Sequence, residues 1–357
     1  MSSAPHVLIG TLAFWAGIAG IADLAAADPD VPPVRKIPVD KLPPVLDLQQ
    51  IPLGLQVHRP IPADNQLTPD RVALGRRLFF DPLLSGDRSL ACASCHRPRF
   101  AFASPDPISL GISGQTGTRN APSLLNVAYV TPLFWDGRAG SLEQQALLPI
   151  ENPKELGAKL SEVMSRLQAD AEYVRAFQSA YGGPPSKKSL ARALASFQRA
   201  LVSGDSPVDR FRAGDSGALT TLQRQGLWLF ESKGLCWRCH SGRNFSDNQF
   251  HNTGVSWGRQ PQDLGRFQVT GKPEDRGRFK TPTLRNVALT APYMHDGSLT
   301  SLKQVVEFYN RGGGPNDQRD PRLRPLNFSP AEVQQLVAFL GALTGTPLSS
   351  ATEPTDR

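Results

Sequence analysis

The chain has 357 residues, 39 Lys and Arg against 32 Asp and Glu, and only four cysteines. At roughly 100–200 residues per domain the length suits two domains, each able to bury its own core. An apolar fraction of 39% is too low for an integral membrane protein, and 20% charged residues are too few for a disordered one. Four cysteines cannot staple a chain of this size, and 32 Pro with 31 Gly point to a loop-rich protein.

From the N-terminus, residues 7–22 are almost wholly apolar, and Leu24-Ala25-Ala26-Ala27 before Asp28 offers small residues for cleavage. This reads as a secretory signal peptide over residues 1–27, and hence as a protein of the periplasm. A retained membrane anchor is the competing reading, although the stretch is shorter than the ~20 residues of a span. Cleavage takes away one charged residue, Asp23, and moves the net charge from +7 to +8. Residues 28–67 then form an N-terminal extension.

Gly75-x-x-Leu78-Phe79 precedes Cys92-Ala93-Ser94-Cys95-His96, and Gly226-x-x-Leu229-Phe230 precedes Cys236-Trp237-Arg238-Cys239-His240. In this spacing two cysteines form thioethers to one haem while the adjacent histidine ligates its iron. A split zinc site of four cysteines would need its halves closer in sequence than Cys95 and Cys236 are. A thioredoxin-like redox pair would not require the histidine twice. The expectation is two covalently bound haem c, whose propionates add roughly four negative charges and leave little case for nucleic-acid binding.

The segment Asn120–Gln144 aligns without gaps on Lys280–Gln304, with eleven of 25 positions identical. Between the copies, residues 155–181 and 186–202 carry helical apolar spacing, and Ser203–Asp215 marks a break. After the second copy, Leu302, Val305, Val306 and Tyr309 form one helical stripe ended by Gly312-Gly313-Gly314. Ser329-Pro330-Ala331-Glu332 is a capping box that opens a last helix to about residue 343. No β-alternating run of useful length occurs. The expected fold is all-α and loop-rich, with two tandem cytochrome c-like domains related by internal duplication. Residues 68–208 make the first, residues 209–347 the second, and residues 348–357 a tail. Continued in the same register, the alignment sets Pro149 opposite Tyr309, so one slot offers a phenol oxygen to the second iron and nothing to the first. A packed core tyrosine is the plainer alternative.

Together with the two C-x-x-C-H motifs, the runs Arg119-Asn120-Ala121-Pro122, Phe134-Trp135-Asp136-Gly137-Arg138 and Tyr293-Met294-His295-Asp296-Gly297 resemble the bacterial di-haem cytochrome c peroxidase/MauG family. The resemblance spans about residues 68–345. It implies an N-terminal peroxidatic haem held by Cys92, Cys95 and His96, and a C-terminal electron-transfer haem held by Cys236, Cys239 and His240. It further implies that Trp135 lies between the haems, and that Gln145 and Glu155 are the distal glutamine and glutamate of the peroxide pocket. Glu155 would move a proton between the peroxide oxygens as water leaves. A calcium ion would use the Asn120 side chain and the carbonyls of Thr290 and Pro292, an oxygen-only set of the kind calcium takes.

Two departures from the ordinary peroxidase pattern bear on function. Conventional members carry a histidine after the first haem motif that blocks the peroxidatic iron, whereas Arg97–Thr118 has none here. They also place methionine where this chain has Tyr309. Thioether ligation favours ferrous iron, whereas a phenolate, formed as the cation lowers the usual tyrosine pKa of about 10, favours higher states. Both departures are similar to the MauG branch, which oxidises residues of a protein substrate. Met294 is the competing ligand for the second iron. The implied partners are hydrogen peroxide and either a periplasmic donor, a cytochrome c or cupredoxin, or a protein substrate. No membrane span remains after signal cleavage. Conventional peroxidase and non-catalytic di-haem electron carrier are the alternative functions. His295, at Trp135's place in the repeat, His251, and Arg119, Arg138 and Arg285 are candidate propionate partners, and His58 is expected to be structural or exposed.

Overall fold

The structure is a computed structural model in which residue 48, residues 50–56 and residues 58–347 are described. The expected signal segment and the tail lie outside them. The described chain is helix-rich with few strands. Its helices are α1 (Pro69–Phe80), α2 (Cys92–Cys95), α3 (Leu142–Glu151), α4 (Leu160–Ala169), α5 (Ala171–Tyr181) and α6 (Lys187–Ala200). There follow α7 (Pro207–Arg212), α8 (Thr221–Glu231), α9 (Phe267–Thr270), α10 (Leu302–Asn310) and α11 (Pro330–Gly341). Strands β1 (Ser203–Gly204), β2 (Phe250–His251), β3 (Phe279–Lys280) and β4 (Thr346–Pro347) form two antiparallel pairs, β1 with β4 and β2 with β3. Among the described residues no helix is long and apolar enough to cross a membrane.

Two helix pairs organise the packing. α1 crosses α6 at Gly75, where an added Cβ would lie 1.9 Å from the Ala193 carbonyl oxygen. α8 crosses α11 at Gly226, where it would lie 2.0 Å from that of Gln335. Only a hydrogen in place of a side chain lets the backbones approach so closely. Around the first crossing Phe79, Phe102 and Phe197 meet edge-on or tilted. Around the second, Phe230 packs on Phe245 and Phe339. The two largest clusters of buried apolar residues follow suit, one between residues 72 and 201 and the other between 208 and 343.

Local conformations also recur at equivalent positions of the two aligned segments. Asn126 and Asn286 are left-handed, at φ 61° and 60°, and each starts a short 3-10 turn. Phe134 and Met294 share a positive φ, as do Gly137 and Gly297. Ser141 and Ser301 cap α3 and α10 by accepting the amides of Gln144 and Gln304.

The helix expected over residues 155–181 is a correction. α3 ends at Glu151, residues 152–159 turn back, and only then do α4 and α5 run, divided at Asp170. Pro153 has no amide to continue α3, and the Asp170 carboxylate caps the amides of Glu172 and Tyr173, starting a new helix. The helix expected over 186–202 is α6, and the last helix stops at Gly341.

Residues 52–55 form a strap on the body. The Gly54 carbonyl accepts from Arg285 at 2.7 Å, that of Leu55 from Arg243 at 3.3 Å, and that of Leu53 from the Asp205 amide at 2.9 Å. Gly54 has φ +87°, and a Cβ there would strike the Asp209 carboxylate.

Candidate functional site

One cavity of about 990 Å³ is lined by both C-x-x-C-H motifs. α2 presents Cys92 and Cys95, and a 3-10 turn presents Cys236 and Cys239; none of the four is in a disulfide. Burial pushes the Cys92 and Cys236 thiols up to about 12, the opposite of what thiolate redox chemistry requires. Among the described residues, the one grouping of three or more metal-ligating side chains is Cys239, Asp247 and His251, so the two cysteine pairs do not converge on a shared metal site.

The histidines fit haem. His96 Nδ1 donates to the Phe102 carbonyl at 3.0 Å, and His240 Nδ1 to the Phe245 carbonyl at 3.1 Å. Each bond fixes the tautomer with its proton on Nδ1 and leaves the lone pair on Nε2, as an iron-ligating imidazole needs. Burial lowers both pKa values, which keeps the rings neutral. The residues present therefore suit two haems, each held by two thioethers and one imidazole.

Gln145, Glu155 and Pro149 line the same cavity. Gln145 and Pro149 come from α3, and Glu155 from the turn after it, where Asn152 Nδ2 donates to Glu155 Oε1 at 2.7 Å. Burial raises the Glu155 pKa, against the lowering pull of Asn152 and of the Arg138 charge. Tyr309, on α10, lines the cavity with its hydroxyl free of any hydrogen bond to a described residue. Burial raises its pKa, and the nearby Cys239 and Cys236 add to this. Met294 also lines the cavity, so both candidate ligands remain on its wall.

Trp135 joins the two halves. Its indole N–H donates to the Asn120 carbonyl at 2.9 Å, its own carbonyl accepts the Lys280 amide at 2.8 Å, and its ring meets His295 edge-on at 6.4 Å. The buried Asn120 side chain donates from Nδ2 to the Asp106 carbonyl at 2.9 Å, and its amide reaches the His295 carbonyl at 2.7 Å. Thr290 and Pro292 line the same cavity.

Of the candidate propionate partners, Arg285 is occupied: its guanidinium grips Asp209 through both terminal nitrogens, at 2.8 and 2.9 Å. Arg119 bridges Asp136 and Asp263, and Arg138 also holds Asp136. His251 sits between Asp320 at 2.8 Å and Asp247 at 3.0 Å. His295 is buried, and its Nε2 has no hydrogen-bond partner among the described residues. His58 is exposed. Sequence reasoning passed over Asn152, the partner of Glu155, and Lys280, whose only signal is a cation at the repeat position of Asn120.

Residues 69–217 match the family described as di-haem cytochrome c peroxidase. The chain is 40% identical over 292 residues to methylamine utilization protein MauG of Methylorubrum extorquens, covering 81% of this chain and 82% of that one. It is 38% identical over 316 residues to cytochrome-c peroxidase IdrP1 of Pseudomonas sp. (strain SCT), covering 80% and 83%. A crystal structure of a MauG-like protein associated with microbial copper homeostasis superposes with a TM-score of 0.77 at 32% identity, covering 92% of this chain and 98% of that one. The chain therefore belongs to the di-haem cytochrome c peroxidase family, whose members are di-haem peroxidase-type oxidoreductases.

Proposed function

We propose that this protein is a periplasmic di-haem peroxidase that uses hydrogen peroxide to oxidise residues of a protein partner, in the manner of the MauG branch. The observation that carries this reading is the contrast of Pro149 with Tyr309 on the wall of one cavity. The absence of histidine from Arg97–Thr118 supports it. Cys92, Cys95 and His96 hold the peroxidatic haem of residues 68–208, and Cys236, Cys239 and His240 the electron-transfer haem of residues 209–347. The conformations shared between the aligned segments support an origin by duplication.

When bound, the haems supply iron at which peroxide is reduced and oxidising equivalents are stored. The chain's own residues order the substrate and its protons. Asn152 fixes Oε1 of Glu155, leaving Oε2 to take the proton of one peroxide oxygen and return it to the other. Such positioned acid–base transfer is worth about 10²–10⁴-fold. The burial that raises the Glu155 pKa brings its two protonation states closer to neutral pH. Gln145 would orient the peroxide, and Tyr309 would ligate the second iron. Trp135, anchored on Asn120 and touching Lys280 and His295, is the conduit between the halves. A calcium ion would be held by the Asn120 side-chain oxygen and the Thr290 and Pro292 carbonyls, oxygen ligands of the kind calcium takes.

The test is electron paramagnetic resonance of the fully ferric protein, followed by peroxide. One high-spin and one low-spin haem, with an optical response to peroxide before any reduction, are expected. Two low-spin haems, inert until half-reduced, would overturn the reading in favour of a conventional peroxidase fed by a small cytochrome c or cupredoxin.

A further inference from the structure

Several cations reach the cavity wall. Those that are buried or half-buried are Arg119, Lys280 and Arg285. The two arginines have carboxylate partners: Arg119 has Asp136 and Asp263, and Arg285 has Asp209. Among the exposed ones, Arg138 and Arg322 are paired, with Asp136 and Asp320, while Lys154, Arg238 and Arg324 lie open to solvent. Lys280 differs. Its ammonium makes no hydrogen bond or ion pair with any described residue, although burial pulls its pKa from 10.5 down to about 8. A desolvated ammonium persists in a folded protein when an anion completes it.

The backbone around Lys280 is fixed. It pairs with Phe250 across β2 and β3, and its amide donates to the Trp135 carbonyl at 2.8 Å. Next to it, Phe279 stacks on His295 at 3.6 Å. The side chain therefore stands at the junction of the two halves, two residues before Pro282, whose backbone bonds His240. In the repeat, Lys280 takes the place of Asn120. Where the first half offers an oxygen-bearing side chain, the second builds in the cation itself.

We propose that Lys280 is the cationic anchor for a carboxylate of the second haem and thereby holds that haem's reduction potential up. The proposal rests on the two-haem reading above. A haem is the cavity's expected occupant and brings carboxylates into a wall whose other buried cations are already neutralised. Lys280 is a positioning residue: neighbouring positive charge favours the ferrous over the ferric state, so its pairing would raise the potential of the haem it holds.

The experiment compares the intact two-haem protein with Lys280→Met, Lys280→Gln and Lys280→Arg. Haem content is measured by pyridine haemochrome and both midpoint potentials by spectroelectrochemistry. Fewer than two haems in the unaltered protein would sink the underlying reading, independently of any potential. With two haems present, both neutral variants should favour oxidation of the second haem about tenfold, a fall of ~59 mV for one electron, and Lys280→Arg should stay near the unaltered value. Loss of the second haem in the neutral variants alone, with retention in Lys280→Arg, equally supports a charge requirement. Unchanged potentials in both neutral variants would overturn the proposal. So would a Lys280→Arg shift as large as that of Lys280→Met, or haem loss in all three variants, since either outcome assigns the residue to packing.

Discussion

Pro149 and Tyr309 occupy the eighth position of two helices, α3 and α10, that begin from the equivalent serine caps Ser141 and Ser301. Both side chains line the one cavity. On the proposed reading, a single exchange at that slot would give the two compartments different iron chemistry, because proline has no donor atom and a phenol has an oxygen. The surrounding scaffold need not differ for the two sites to do so.

Replacing the phenol tests this directly. Tyr309→Phe should convert the low-spin ferric signal to high-spin while both haems stay attached, as read by electron paramagnetic resonance and pyridine haemochrome. Met294→Leu should leave the low-spin signal in place. The reverse pattern would transfer the ligand role to Met294.

Glu155→Gln should lower peroxide-dependent turnover by about 10²–10⁴-fold, with haem content unchanged. The sign of its pH dependence follows from burial. The neutral form is favoured, so the group ionises only above the usual 4.5, and activity that needs the carboxylate rises with pH through that higher value. The acid limb should therefore lie above the ordinary glutamate range and vanish in the glutamine variant. A limb that persists in Glu155→Gln would assign it to another group.

The two glycine crossings predict equal fragility at separate places. Gly75→Ala and Gly226→Ala each press a methyl against a backbone carbonyl, an overpacking that costs typically about 1–3 kcal/mol. Thermal unfolding of the haem-loaded variants checks this, and unchanged midpoints would show that the helices can move apart freely.

Asp209 and Arg285 form a buried pair whose disruption leaves one charge stranded. Arg285→Met should destabilise by about 3–5 kcal/mol. Burial alone would raise the Asp209 pKa, but the Arg285 guanidinium outweighs it and holds the carboxyl below its usual 3.8. The pair's stabilisation is thus present above that value and lost as pH falls through the lower folded-state value. Denaturant titrations of the two proteins should converge toward acid pH.

Much of the site was legible because its chemistry demands fixed local spacing. The cysteine pairs with their histidines, the Ser301-capped stripe ending in Tyr309, and Gly75 and Gly226 before each motif are patterns over a few residues. What escaped was set by long-range geometry. Glu155 reads as part of a helix by apolar period, yet Pro153 and the Asn152 contact place it in a turn. Arg285 reads as a propionate partner by type, yet Asp209, 76 residues away, claims it. Lys280 gains meaning only from the absence of a carboxylate among the described residues around it, which no linear pattern records.

The strap at residues 52–55 bears on the order in which the chain can fold. Its carbonyls at Leu55 and Gly54 wait for Arg243 and Arg285, which follow by 188 and 231 residues. During vectorial emergence of the chain, Asp205 can hold Leu53 early, but these two carbonyls stay unclasped until the residues around and beyond the second haem motif have arrived. Closure of the strap thus reports completion of the later half, and protease cleavage near Gly54 offers a clock for the final step of maturation.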